Sequence, residues 1–93
     1  MDIIKLKEDE TEKLDELKKL DDKFEIPKPE EEYFIINDRD MDMGYAVLEM
    51  NEMPVLKRIF IREGYRNTGY GTKLLKYIIN WLRSKDYDEL IVL

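Results

Sequence analysis

The stretch 56–79 constrains the fold most, because a strand, a turn with closely spaced glycines and an amphipathic helix follow one another there without a break. Leu56, Lys57, Arg58, Ile59, Phe60 and Ile61 read as an apolar strand, and Arg66, Asn67, Thr68, Gly69, Tyr70 and Gly71 as a turn. Over 72–83 the residues Leu74, Leu75, Ile78, Ile79 and Leu82 recur at helical spacing and predict a core-facing stripe about three turns long. Glycines let a main chain approach an anion closely, and the first turn of a helix offers free N–H groups and the positive end of its dipole. The order therefore suits a pyrophosphate, although the same glycines also suit a plain strand-to-helix turn. Gly64 and Gly69 have P-loop spacing, but Tyr70 stands where that motif needs lysine, and no G-x-G-x-x-G is present.

Around this segment the chain predicts a mixed sheet. Ile3, Ile4 and Leu6 suggest a first strand, and Asp9 with Glu12 looks like a capping box opening a helix whose stripe is Leu14, Leu17, Leu20 and Phe24. Pro27 and Pro29 stop the helix, and the carboxylate-rich stretch 25–32 reads as a loop. Strands over 32–36 and 43–50, joined by a turn at 37–40, predict an antiparallel hairpin, and 51–54 turns the chain into the strand at 56–61. Asp38 and Asp40 do not make a calcium loop, because Met43 occupies the glycine position. The closing run, Leu90, Ile91, Val92 and Leu93, predicts a strand parallel to 56–61 by a right-handed crossover.

Composition narrows the chemistry. Ninety-three residues make a single domain, 1–93. With no cysteine and no histidine, a thiol nucleophile and the commonest metal ligand and general base are missing, so no metal site is expected. Any base must be a carboxylate, a tyrosine or a relayed water. A net charge of -6 disfavours nucleic acid and gives a slight preference for a cationic partner such as an amine. The absence of a signal-peptide run or a membrane-length apolar stretch predicts a cytoplasmic protein that uses no membrane. Lys57, Arg58, Arg62 and Lys73 read as cations of a solvated face.

At Arg66, Gly69 and Gly71 the chain resembles the GNAT superfamily of N-acetyltransferases, whose acetyl-coenzyme A motif is Arg or Gln, two residues, Gly, one residue, then Gly or Ala. The resemblance is good over 30–93 and looser before it. It implies an α+β, three-layer domain: a mixed antiparallel/parallel sheet with helices on both faces, opened where the strand at 56–61 and the last strand splay apart. It also implies that Ile59, Phe60 and Ile61 bind the pantetheine arm of acetyl-CoA through their main chain. Asn67, Thr68, Gly69, Tyr70, Gly71 and Thr72 would give N–H groups to the pyrophosphate, and Arg66 begins that loop.

The implied reaction is direct attack of a primary amine, on a small molecule or a protein lysine, upon the acetyl thioester. The oxyanion donor would be a main-chain N–H near Ile61. Many relatives carry a glutamate where this chain has Val55, and the nearest carboxylates are Glu52 and Glu49, unless water relays the proton. GNAT enzymes usually continue past the fifth strand into a helix, which often carries a tyrosine acid, and two further strands. The sequence stops at Leu93, and its six tyrosines all precede that place, so no acid is assigned. The open edge this implies predicts a homodimer, or another partner, on the last strand. A non-catalytic acyl-CoA or CoA-binding module, and a purely structural domain, are the alternative functions.

Overall fold

The computed structural model describes residues 1–93. In chain order the elements are β1 (Asp2–Lys5), a 3-10 helix (Glu8–Leu14) running into α1 (Asp15–Leu20), β2 (Glu31–Asp38), β3 (Met41–Met50), β4 (Pro54–Ile61), α2 (Tyr70–Ser84) and β5 (Ile91–Val92). They form one five-stranded sheet in sequence order, with three antiparallel pairings followed by a parallel one between β4 and β5. The expected α+β architecture, with a mixed sheet between helical layers, is what the chain adopts. No helix is long and apolar enough to cross a membrane.

Period-two alternation divides the side chains between two cores. On one face Phe34, Ile36, Ala46, Leu48 and Leu56 pack against Leu74, Ile78 and Leu82 of α2. On the other, Tyr33, Ile35, Tyr45, Val47 and Phe60 pack against Leu6, Leu14 and Leu17 of the N-terminal segment. At about 25 cal/mol per Å² of apolar surface, these two layers supply most of the drive to fold.

Several boundaries differ from the sequence reading. The N-terminal helix is capped not by Asp9 and Glu12 but by Glu10, whose carboxylate accepts the Lys7 N–H at 2.9 Å, and its first part is 3-10. Only Leu14 and Leu17 of its stripe are buried; Leu20 is exposed, and Phe24 lies beyond the helix, edge-on to Tyr45 with ring centres 5.6 Å apart. The β2–β3 turn is tighter than 37–40, since Arg39 (φ 55) and Asp40 (φ 62) take the left-handed pair of conformations that matches strand twist. The helix after the glycines starts at Tyr70 and is 15 residues long, about four turns. The last strand is shorter than 90–93, its ladder covering Ile91 and Val92.

Candidate functional site

The site is built around a change in β4. Opposite β3, Leu56 faces Leu48 and Arg58 faces Val47, so Lys57 is an extra residue, a bulge. Pairing with β5 ends at the same place: Val55 faces Ile91, Leu56 faces Val92, and the Leu93 N–H reaches the Leu56 carbonyl at 3.1 Å. Beyond Leu56 the edge of β4 has no strand partner. Within a strand, one residue's N–H and C=O point to the same side and the side alternates along the chain. The Ile61 carbonyl accepts the Arg66 Nε at 2.8 Å, away from β3, while the next amide, Arg62 N–H, donates to Met43 at 2.7 Å. The main-chain groups of Ile61, and by alternation Ile59, therefore line the opening, whereas those of Phe60 turn towards Tyr45 on β3.

The turn that follows delivers the N-terminus of α2 beside this edge. Gly64 (φ 90), Asn67 (φ 63) and Gly69 (φ 97) are left-handed, and the Thr68 hydroxyl donates to the Tyr65 carbonyl. Gly69 is the N-cap, and the Lys73 N–H donates to its carbonyl at 3.0 Å. The amides of Gly69, Tyr70, Gly71 and Thr72 precede the first intrahelical donor, and no side chain caps them. The two motif glycines have separate reasons. Gly69 needs its conformation, while a Cβ on Gly71 would meet only Ile59 at 3.8 Å and Ile61 at 3.9 Å, ordinary contacts that an alanine also satisfies. Tyr70 pins the helix start to the β2–β3 hairpin: its hydroxyl donates to Asp38 at 2.8 Å and holds that carboxyl below its usual range.

Arg66 lies back over β4 rather than forward, with its guanidinium 5.5 Å from the Phe60 ring centre. Glu49 faces Val55 across the β3–β4 ladder and sits 3.7 Å from Lys57, and Glu52 is exposed in the turn before β4 without a hydrogen bond or ion pair. Lys57 also bonds the buried Glu31 at 2.9 Å, which holds its ammonium above the usual range. Burial, and then the neighbouring Glu31, push the Tyr33 phenol up, so it stays protonated.

Three of the four cations read as a solvated face are instead engaged, Lys57 among them. Arg62 donates to the Asp42 carbonyl and to Glu16. Arg58 binds Asp21 with both arms, Nε at 2.7 Å and a terminal nitrogen at 2.5 Å, while the Tyr45 hydroxyl donates to Asp21 at 2.5 Å. Asp21 and Arg58 are 37 residues apart, and neither carries a local signal of pairing. Gly44 was also missed, although an isolated glycine inside a strand pattern does signal close approach. A Cβ there would lie 2.2 Å from the Phe60 carbonyl oxygen and 2.7 Å from Ile61 Cδ1, so Gly44 lets β3 back the site closely.

The fold that carries this edge and helix start has counterparts among known proteins. Residues 1–93 match the family described as Acetyltransferase (GNAT) family, and the chain belongs to that family. Its fold is similar to that of Tetrahymena GCN5 (TM-score 0.83, 14% identity, 99% of this chain and 69% of that one). It is also similar to an aminoglycoside acetyltransferase from an uncultured soil metagenomic sample, in complex with sisomicin (0.80, 17%, 99% and 76%). A putative streptothricin acetyltransferase from Bacillus anthracis, in complex with acetyl coenzyme A, is similar over less (0.62, 22%, 72% and 39%). No curated protein matches the chain.

Proposed function

We propose that the chain is an acetyl-CoA-dependent N-acetyltransferase that passes the acetyl group to a primary amine by direct attack. The observation that carries this reading is the juxtaposition of the unpaired β4 edge with the uncapped amides at the start of α2. The residues present fit the ligand: Gly69 and Gly71 leave the helix end open, and Ile59 and Ile61 offer a main-chain edge to a chain of amides. Asn67, Thr68, Gly69, Tyr70, Gly71 and Thr72 would hold the pyrophosphate, and Arg66 would add charge at the loop. Of Ile59, Phe60 and Ile61, the first and last would hold the pantetheine arm through their main chain, while the Phe60 main chain is turned to β3. Bound there, acetyl-CoA supplies an activated thioester.

The Ile61 N–H is the candidate donor to the reacting carbonyl oxygen. Glu49 is the first candidate for taking the amine proton, because it stands on the strand next to Val55; Glu52 is the second. The acceptor is a small amine or a protein lysine. The proposal extends to a cytoplasmic location and to a homodimer through β5, where Ile91, Val92 and Leu93 are exposed. A monomer in analytical ultracentrifugation at high concentration would remove the dimer without touching the chemistry.

Calorimetry with acetyl-CoA and with CoA tests binding, and thiol release with a panel of amines tests turnover. Saturable binding plus amine-dependent thiol release is the expected result. Binding without release from any amine favours the non-catalytic CoA-binding module. No heat with either ligand overturns both.

A further inference from the structure

We propose that Asp21, Arg58 and Tyr45 form a positioning clamp for acetyl transfer, locking the β4 bulge and thereby holding the Ile59 and Ile61 main chain in its open, ligand-facing geometry. The inference rests on the reading of the β4 edge given under the proposed function. Arg58 is the residue immediately after the bulge, two residues beyond Leu56, the last to pair with β5. In a regular strand Lys57 and Arg58 would point to opposite faces. Here both reach carboxylates on the same face, Lys57 to Glu31 and Arg58 to Asp21, which is the signature of the extra residue.

The clamp is anchored in the core rather than in solvent. The Asp21 side chain is 1% exposed and accepts both Arg58 bonds, the Tyr45 hydroxyl and the Lys23 N–H at 3.0 Å. Every buried side-chain polar atom of the chain has a partner. A bidentate guanidinium–carboxylate pair restricts direction as well as distance, so it resists the return of Arg58 to a regular register. From Arg58 the restraint passes along the strand. Its guanidinium lies 5.8 Å from the Phe60 ring centre, the Arg66 guanidinium lies 5.5 Å from the same ring, and Arg66 holds the Ile61 carbonyl. The bulge, the edge and the start of the glycine loop are thus linked through one strand.

The test compares R58M, R58A and Y45F with the unaltered chain. Amide hydrogen exchange, which needs neither ligand nor turnover, should accelerate about tenfold at Phe60 and Arg62, whose amides face β3, in R58M while the β2 amides keep their protection. In acetyl transfer R58M should lower kcat about tenfold and raise the KM for acetyl-CoA, and millimolar methylguanidinium should restore R58A in part. Y45F, which keeps the ion pair, should shift both readouts in the same direction by less. A folded R58M with uniform exchange across the sheet, or with unchanged kcat and KM, overturns the clamp. Should R58M not fold, Y45F with unchanged β4 exchange does so. Failure of the function reading shows separately, as loss of acetyl-CoA binding by the unaltered chain, and the exchange experiment still decides the clamp.

Discussion

The two halves of β4 do different work although they belong to one eight-residue strand. Val55 and Leu56 are paired on both sides, and Leu56 is buried under α2, so this half is ordinary sheet interior. From Arg58 to Ile61 the strand keeps its β3 partner and loses β5, which converts a structural edge into one available to a ligand. A single bulged residue separates the two. The comparison teaches that the site is not added to the sheet but made by interrupting it, with the interruption held by contacts from β3 and from the segment after α1.

If that is right, the strand behind the opened half should be intolerant of added volume. G44A places a methyl group against the Phe60 carbonyl and Ile61, where backbone must move, and should cost about 3 kcal/mol or more, read as a lowered urea midpoint. An unchanged midpoint would show that β3 and β4 separate more easily than the close approach implies. Next in size is the chemistry at the junction between the halves. E49Q should lower kcat about a hundredfold with little change in the KM for acetyl-CoA, and E52Q by less. Equal rates for E49Q and the unaltered chain would remove Glu49 as the base and leave Glu52 or a relayed water.

The legibility of the two halves differed too. The strand, the glycine turn and the α2 stripe are local patterns, and Leu74, Ile78 and Leu82 alone fix the helix face. The fold class was therefore readable, and with it the meeting of a strand, a glycine turn and a helix start that the candidate site uses. A one-residue bulge at Lys57 has no local signature, because it exists only in register with β3. Arg58 and Asp21 each look like surface charges until the fold brings them together over 37 residues. The α2 start fell two residues early because Gly69, as a left-handed N-cap, stops the turn sooner than apolar periodicity reveals.

The pairing of Asp21 gives a pH test of the clamp's weight in the opened half. Burial pushes its carboxyl up, but the bonds from Arg58, the Tyr45 hydroxyl and the Lys23 amide outweigh this, leaving it below the ordinary aspartate range. A carboxyl that is a stronger acid in the folded state stabilises the fold fully above its unfolded pKa, about 3.9, and stops doing so as pH falls through the lower folded value. D21N should cost about 2 kcal/mol near neutral pH, a gap that narrows as pH drops from about 5 towards 3. The other carboxyls held low, Asp38 by Tyr70 and Glu10 by Lys13, remain in the variant and keep some acid sensitivity. A gap that is constant across this range would mean that the Asp21 charge contributes nothing to folding.

The smallest effect separates the two motif glycines. Gly69 sits at φ 97, where an alanine is strained by about 1 kcal/mol, and G69A should lower both the melting temperature and the affinity for acetyl-CoA by disturbing the amides it leads into. Gly71 is in the first turn of α2 with room for a Cβ, so G71A should keep both stability and affinity close to those of the unaltered chain, whereas G71W should abolish binding by filling the cradle. Calorimetry with acetyl-CoA on all three variants distinguishes the causes. If G71A weakened binding as much as G69A, space rather than backbone conformation would be the common requirement, and the ligand would have to approach α2 more closely than the ordinary contacts of a Cβ at Gly71 permit. If G71W still bound, the pyrophosphate would lie away from the helix start, and the opened half of β4 would lose its connection to the glycine turn.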